Sequence, residues 1–244
     1  MPVRSGIQVE PPFLLRRSPS TQTTMKKLLA IAAFILPITM TDAKTKADID
    51  PENTLLIDLD DGQVVIEMYP DTAPKHVARI KELAKAGKYD GVAFHRVIDG
   101  FMAQTGDVQF GNVKKFNEGR VGTGGSDKPD IPAEFNKRKH GKGACSMARS
   151  SNPDSANSQF FICLDNANFL DGQYTVWGQV VEGMKFVDKI KRGAPGSGSV
   201  SNPDHMKKVS LAPASKPSKD SSSGEKKSSK KTKGKTKRKK RSAK

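Results

Sequence analysis

What limits the fold of this chain most is the grouping of its apolar residues, which fall in short runs closed by turn signals. Leu55-Leu56-Ile57-Asp58-Leu59 and Gln63-Val64-Val65-Ile66-Glu67-Met68 flank Asp60-Asp61-Gly62. Asp-Gly between partly alternating apolar runs is a strong hairpin signal. Val92–Ile98, Gly143–Ala148, Ser158–Leu164, Thr175–Val181 and Met206–Leu211 are further strand candidates. Helical spacing is confined to two places. After Asp71-Thr72-Ala73-Pro74, the residues Val77, Ile80, Leu83 and Ala84 repeat on one face, with Gly87 placed as a C-cap. Met184–Ile190 reads as a shorter helix, with Val187 and Ile190 on one side. Asp107–Ile131 is loop-rich and carries Gly111, Gly119, Gly122, Gly124 and Gly125. Many strands and two helices predict an antiparallel barrel or sandwich. Closure into a barrel also removes exposed strand edges.

Both ends differ from this middle. From Leu211 to Lys244 there are 14 basic and 2 acidic residues, and this segment supplies most of the formal net charge of +16. Lys44–Ser210 carries a net charge of only +1, so the chain as a whole is not a basic nucleic-acid binder. Residues 212–244 are Lys, Ser, Thr, Gly and Pro almost throughout. Such a segment buries too little apolar surface to offset its ordering entropy and is expected to be disordered. It includes Lys237-Arg238-Lys239-Lys240-Arg241, a cluster suited to anionic surfaces or nucleic acid.

Near the other end, Met25-Lys26-Lys27 precedes an apolar run of 13 residues, Leu28–Met40, and then Thr41-Asp42-Ala43. A positive start, a short apolar core and a small residue at the cut describe a secretory signal. The run is shorter than the roughly 20 apolar residues a membrane span requires; an uncleaved anchor or a buried core helix are the alternatives. Export, to the periplasm or as a secreted protein, is the expectation. Residues 1–24 show no clear periodicity and are read as a gene-model extension, or a disordered segment, ahead of a start at Met25.

Little conventional chemistry is available. Cys145 and Cys163 are the only cysteines, and His76, His95, His140 and His205 are scattered, which does not make a zinc site. The cysteines are buried thiols or a mutual disulfide; both lie in apolar strand-like runs. There is no G-x-S-x-G. Gly122-Thr123-Gly124-Gly125-Ser126 lacks the Gly-Lys-Ser/Thr ending of a phosphate loop and reads as flexible loop. Arg96, inside an apolar strand, is costly to bury without a partner; the plain alternative is that it snorkels to the surface.

The run Phe94-His95-Arg96-Val97-Ile98-Asp99-Gly100-Phe101-Met102-Ala103-Gln104-Thr105-Gly106-Asp107 resembles the signature of the cyclophilin-type peptidyl-prolyl cis-trans isomerases. So do Ser146-Met147-Ala148, Ser158-Gln159-Phe160-Phe161-Ile162, Phe169-Leu170-Asp171-Gly172-Gln173-Tyr174 and Gly178–Met184, in family order from Thr54 to Leu211. The details are most similar to bacterial exported members. The resemblance implies an all-β fold over residues 44–211: a closed eight-stranded antiparallel barrel capped by two α-helices, with the substrate groove on its outer surface.

It also implies a site. Arg96 would be the catalytic donor, and Phe101, Met102, Phe161 and Leu170 the wall of a proline pocket. Gln104 would hold the substrate backbone and help position Arg96, with Gln159 in the same groove. Ala148 and Arg149 would border the groove, and Gly122 and Thr123 its outer end. Phe160 and Phe161 alternate faces, so one of them must be core. His95 reads as structural or at the rim. No cofactor or metal is implied, the partners are proline-containing polypeptides, and a monomer is the default. The chain departs from the best-known eukaryotic pattern at three positions: Arg149 for Asn, Phe169 for Trp and Tyr174 for His. The lost indole N–H implies weak cyclosporin binding, and turnover need not suffer, so a working isomerase is expected. The competing readings are a proline-peptide-binding chaperone module without useful catalysis, and a barrel tethered by its basic tail.

Overall fold

The computed structural model describes residues 49–213. The expectations for residues 1–24, the signal at 25–43 and the basic segment from 214 onward lie outside the described residues.

The hairpin forms as the sequence predicts. Strands β1 (Thr54–Asp58) and β2 (Gln63–Met68) pair in antiparallel register, Asp58 opposite Gln63. The Leu59 amide donates to the Gly62 carbonyl at 2.9 Å across the turn. Helix α1 (Pro74–Lys85) buries Val77, Ile80, Leu83 and Ala84, the face its spacing marks out. Gly87 follows it at φ +64, and the Gly87 and Lys88 amides return to the carbonyls of Ala84 and Leu83, the left-handed stop that glycine allows. Its first turn has no side-chain cap of its own. The carboxylate of Glu134 fills that role, accepting from the Lys75 and His76 amides at 3.1 Å and contacting His76 Nδ1 at 2.6 Å. A negative group at a helix start is favoured by the aligned peptide dipoles.

The remaining strands are β3 (Val92–Ala93), β4 (Arg96–Ile98), β5 (Met102–Thr105), β6 (Ala144–Met147), β7 (Phe160–Cys163), β8 (Val176–Glu182), β9 (His205–Met206) and β10 (Lys208–Leu211). Helix α2 is a single turn, Met184–Val187. Eight strands form one curled antiparallel sheet in the order β10-β1-β2-β8-β6-β7-β5-β4, and β3 pairs separately with β9.

The expected closed barrel is corrected on this point. The sheet is a half-barrel with β10 and β4 as its two ends. The reason lies at β4, whose outer edge is bonded to the segment that precedes β9 rather than to β10. The Val97 amide donates to Gly198 O at 2.7 Å, the Gly193 amide to Val97 O at 2.9 Å, and the Val200 amide to His95 O at 3.1 Å. Gly198, at φ +73, makes this approach possible: a methyl group there would lie 2.5 Å from Ile98 Cγ1. Val92–Ile98, expected as one strand, is split for the same reason, its first half serving β9 and its second half this segment. Strand β5 is an addition, since no strand was expected after Gly100.

The sheet has two apolar faces. Its concave face packs Trp177, Phe160, Ile66, Ile57 and Phe94 with α1, and the ring of Phe160 stands edge-on to Trp177 at 5.3 Å and to Tyr89 at 5.7 Å. The convex face carries a smaller cluster of Phe101, Met102, Phe161, Cys163, Ala148 and Leu170. Period-two alternation along β5, β6 and β7 places neighbours on opposite faces. Phe160 is therefore core and Phe161 is convex. Cys145 and Cys163 are both free, and they lie in different clusters on opposite faces, which excludes a bond between them.

Candidate active site

The convex cluster is built on one row of the sheet. Arg96 on β4 stands opposite Gln104 on β5, Gln104 opposite Phe161 on β7, and Phe161 opposite Ser146 on β6. All four side chains share one face. Arg96 is buried; its Nε donates to the Ser197 carbonyl at 3.1 Å and its Nη1 to Gln104 Oε1 at 3.4 Å. Gln104 Nε2 donates to Gln159 Oε1 at 3.0 Å, and Gln159 Nε2 to the Gly124 carbonyl at 2.8 Å. One relay thus runs from the guanidinium to the glycine loop, with each amide oriented by the next.

Beside the relay lies an apolar basin. Phe101 is 6% exposed, Leu170 3%, and Met102, Phe161 and Ala148 are fully buried, so these residues form its floor. Phe169, 38% exposed, rises at the rim with its ring 5.4 Å from that of Phe101. Tyr174 meets Phe161 edge-on at 5.9 Å. The Arg149 guanidinium lies 4.4 Å over the Tyr174 ring and is pinned by carbonyls: Nη1 to Ser150 at 2.9 Å and Ser151 at 3.5 Å, Nη2 to Gln173 at 3.0 Å.

The residues expected from the sequence converge here, with one distinction. Gly122 and Thr123 reach the relay only through the adjoining Gly124. The Gly122 amide donates to Asp107 Oδ2 at 2.8 Å, and a methyl group on Gly122 would meet the His95 ring at 3.4 Å. The Thr123 hydroxyl turns to the Arg120 carbonyl at 2.7 Å. Asp107 gathers this loop by also accepting from the Gln109, Phe110 and Gly124 amides. His95 is buried beneath it, and that burial pushes its pKa down to about 4, so the ring is neutral at pH 7.

Two supports were not found from sequence. Ser197, which accepts from Arg96, lies 101 residues away from it. His140 is buried under the basin, its ring stacked on Phe161 at 6.2 Å. Its Nδ1 faces Asp171 Oδ1 and its Nε2 faces Ser146 Oγ, both at 3.0 Å. Asp171 also accepts from the His140 amide at 2.9 Å, which ties the turn carrying Phe169 and Leu170 to the sheet. Burial lowers the His140 pKa against the pull of Asp171. Only a three-dimensional pairing links these residues; no local pattern announces it.

The site contains a buried fixed cation, two oriented amides and an apolar basin. Among the described residues no group of three His, Cys, Asp or Glu could hold a metal. The arrangement can grip a small apolar ring and direct N–H donors at the polar group attached to it.

Comparison with known proteins assigns the family. Residues 54–211 match the family model described as cyclophilin type peptidyl-prolyl cis-trans isomerase/CLD. A probable peptidyl-prolyl cis-trans isomerase of Brucella suis biovar 1 (strain 1330) is 56% identical over 189 residues, 77% of this chain and 96% of the relative. A peptidyl-prolyl cis-trans isomerase of Helicobacter pylori (strain ATCC 700392 / 26695) is 38% identical over 135 residues, 54% of this chain and 76% of the relative. Among solved structures, a cyclophilin from Hirschia baltica superposes with a TM-score of 0.57 at 26% identity, covering 69% of this chain and 80% of that one. A Cryptosporidium parvum cyclophilin-type isomerase, solved in the presence of the dipeptide Ala-Pro, shares the fold with a TM-score of 0.56 at 23% identity, covering 66% and 99%. With its signature row, its half-barrel and these relatives in agreement, the chain belongs to the cyclophilin-type peptidyl-prolyl cis-trans isomerase family.

Proposed function

We propose that this chain rotates X-Pro peptide bonds in polypeptide clients, with Arg96 as the donor that stabilises the twisted amide. Planar amides resist rotation by about 18–20 kcal/mol because nitrogen shares its lone pair with the carbonyl. X-Pro isomers are close in energy but exchange over roughly tens to hundreds of seconds. At the twist the nitrogen becomes pyramidal and its lone pair accepts a hydrogen bond. A guanidinium is always charged and only donates, so Arg96 favours the twisted state over either planar one. That is the differential binding catalysis requires. The proline ring occupies the basin of Phe101, Met102, Phe161 and Leu170, and Gln104 holds Arg96 and the substrate backbone.

The observation that carries this reading is the position of Arg96: a buried guanidinium in a strand, held by Ser197 and Gln104, on the same row as Phe161. The experiment is the cis–trans exchange rate of an X-Pro tetrapeptide, measured by NMR with the full chain and with Arg96→Ala. Acceleration that collapses in a folded variant supports the assignment. A folded wild type that binds the peptide without accelerating exchange makes the groove a binding module. We also propose export through the signal-like segment at 25–43; N-terminal sequencing of the cellular protein tests it, with a start at Lys44 as the expected result.

A further inference from the structure

Arg149 lacks the counter-charge that Arg79, Arg138 and Arg192 have; Arg120, 4.0 Å over the Phe110 ring, shares that lack, but its ring is not one that packs on the basin. Arg138 shows the paired arrangement: its guanidinium lies 3.3 Å over the Tyr69 ring and meets Asp71 Oδ2 at 3.2 Å. Arg79 and Arg192 likewise have Glu82 and Asp99. Arg149 repeats the stack, on Tyr174, but its hydrogen bonds go to the carbonyls of Ser150, Ser151 and Gln173 alone. Among the described residues no carboxylate lies within 4.0 Å of it. The acidic residues of the flanking loops are engaged elsewhere, Asp154 by the Ala133 amide and Asp171 by His140 and Lys139.

We propose that Arg149 is a specificity residue, selecting X-Pro clients that carry an Asp or Glu side chain within about three residues of the proline. This rests on the proposed isomerase reading of the same groove. The reach follows from the ring contacts. Tyr174 lies 5.9 Å from Phe161 in the basin, and the guanidinium 4.4 Å from Tyr174, so the charge sits no more than about 10 Å from the basin floor. Extended peptide spans about 3.3–3.6 Å per residue, which makes that distance about three residues. Screening reaches its characteristic length at about 8 Å in 0.15 M salt, so the charge acts only on residues near the proline. Pinning by three carbonyls and a ring means that little side-chain freedom remains to be lost when a carboxylate arrives. The carbonyls satisfy donors without neutralising the charge, and a carboxylate neutralises it.

The test compares kcat/KM for three otherwise identical X-Pro peptides bearing Glu, Gln or Lys two residues from the proline, on either side. For the full chain on the better side, Glu should exceed Gln by about two- to five-fold, the range of a partly exposed ion pair, and Lys should fall below Gln. Arg149→Gln should bring the Glu/Gln ratio to about one, whereas Arg149→Lys keeps a ratio above one. Because each ratio is taken within one enzyme, a general loss of activity in a variant cancels. Equal rates for Glu and Gln on both sides overturn the proposal. So does a ratio that persists in Arg149→Gln, which would assign the attraction to the basic segment beyond residue 213. A ratio of one in Arg149→Lys as well overturns it, since loop pinning rather than charge would then be responsible. Absence of acceleration for every peptide defeats the isomerase reading itself, and equal acceleration of all three defeats only this one.

Discussion

Arg96 and Gln104 are register partners across β4 and β5, with Nη1 of the arginine 3.4 Å from the amide oxygen of the glutamine. Since Gln159 fixes the other end of that amide at 3.0 Å, Gln104 orients the guanidinium. Gln104→Met keeps the volume and removes the hydrogen bonds to Arg96 and Gln159. It should lower kcat about ten-fold, in line with one lost hydrogen bond to a charged group, and change KM less, as steady-state kinetics on an X-Pro peptide would show.

Loss of the donor itself should cost more. Arg96→Ala is expected to reduce kcat/KM by about 10²–10³, the effect of deleting one preorganised transition-state donor. Arg96→Lys, which keeps charge but loses the planar fork, should recover only part of it. Circular dichroism on both variants checks that the sheet persists.

The two adjacent phenylalanines offer a matched pair. Phe160→Ala and Phe161→Ala each empty a fully buried site and should each cost about 3–5 kcal/mol of stability in urea unfolding. They should differ in function. Phe161 floors the convex basin and Phe160 packs on Trp177, so at a temperature where both are folded only Phe161→Ala should raise KM for proline peptides strongly.

Acid should weaken the fold through its buried histidines. Burial holds His95 at about 4 against the opposing pull of Asp107, whereas an unfolded histidine titrates near 6.5. Below pH 6.5 the unfolded chain therefore takes up a proton that the fold refuses. The His95 contribution is complete above about pH 6.5 and is lost as pH falls toward 4, about 3 kcal/mol in all. His76 and His140, also lowered by burial, add in the same direction. Urea midpoints from pH 7.5 to 4.5 should fall less steeply in His95→Gln than in the wild type.

Phe169 sets the expected drug response. It stands partly exposed at the rim against Phe101 and brings no N–H. Phe169→Trp supplies one, and should lower the cyclosporin inhibition constant by about two- to ten-fold, the net value of one hydrogen bond.

The sequence marked its elements wherever a local signal and the final environment agree. The Asp60-Asp61-Gly62 turn and the buried face of α1 are such cases, since turn chemistry and helical spacing are local properties. Val92–Ile98 was legible as extended but not as two strands, because its break depends on Gly193–Val200, about a hundred residues later. The same contact leaves the barrel open. Strand β5 was hidden because Met102–Thr105 alternates a basin residue with a core residue, and Gly100 just before it reads as an ending. At the site, motif resemblance named Arg96, Gln104 and the basin residues. It gave no hint of Ser197 or of the His140–Asp171–Ser146 clamp, which act on the basin only through the fold.

Cys145 and Cys163 sit on adjacent strands yet face away from each other, one into the core and one into the convex cluster. Burial raises both thiol pKa values, Cys163 to about 12, so neither offers a thiolate to an oxidant at neutral pH. Within the fold both thiols are buried and stay protonated at neutral pH. The described domain is complete without any disulfide, so its assembly calls for no oxidase.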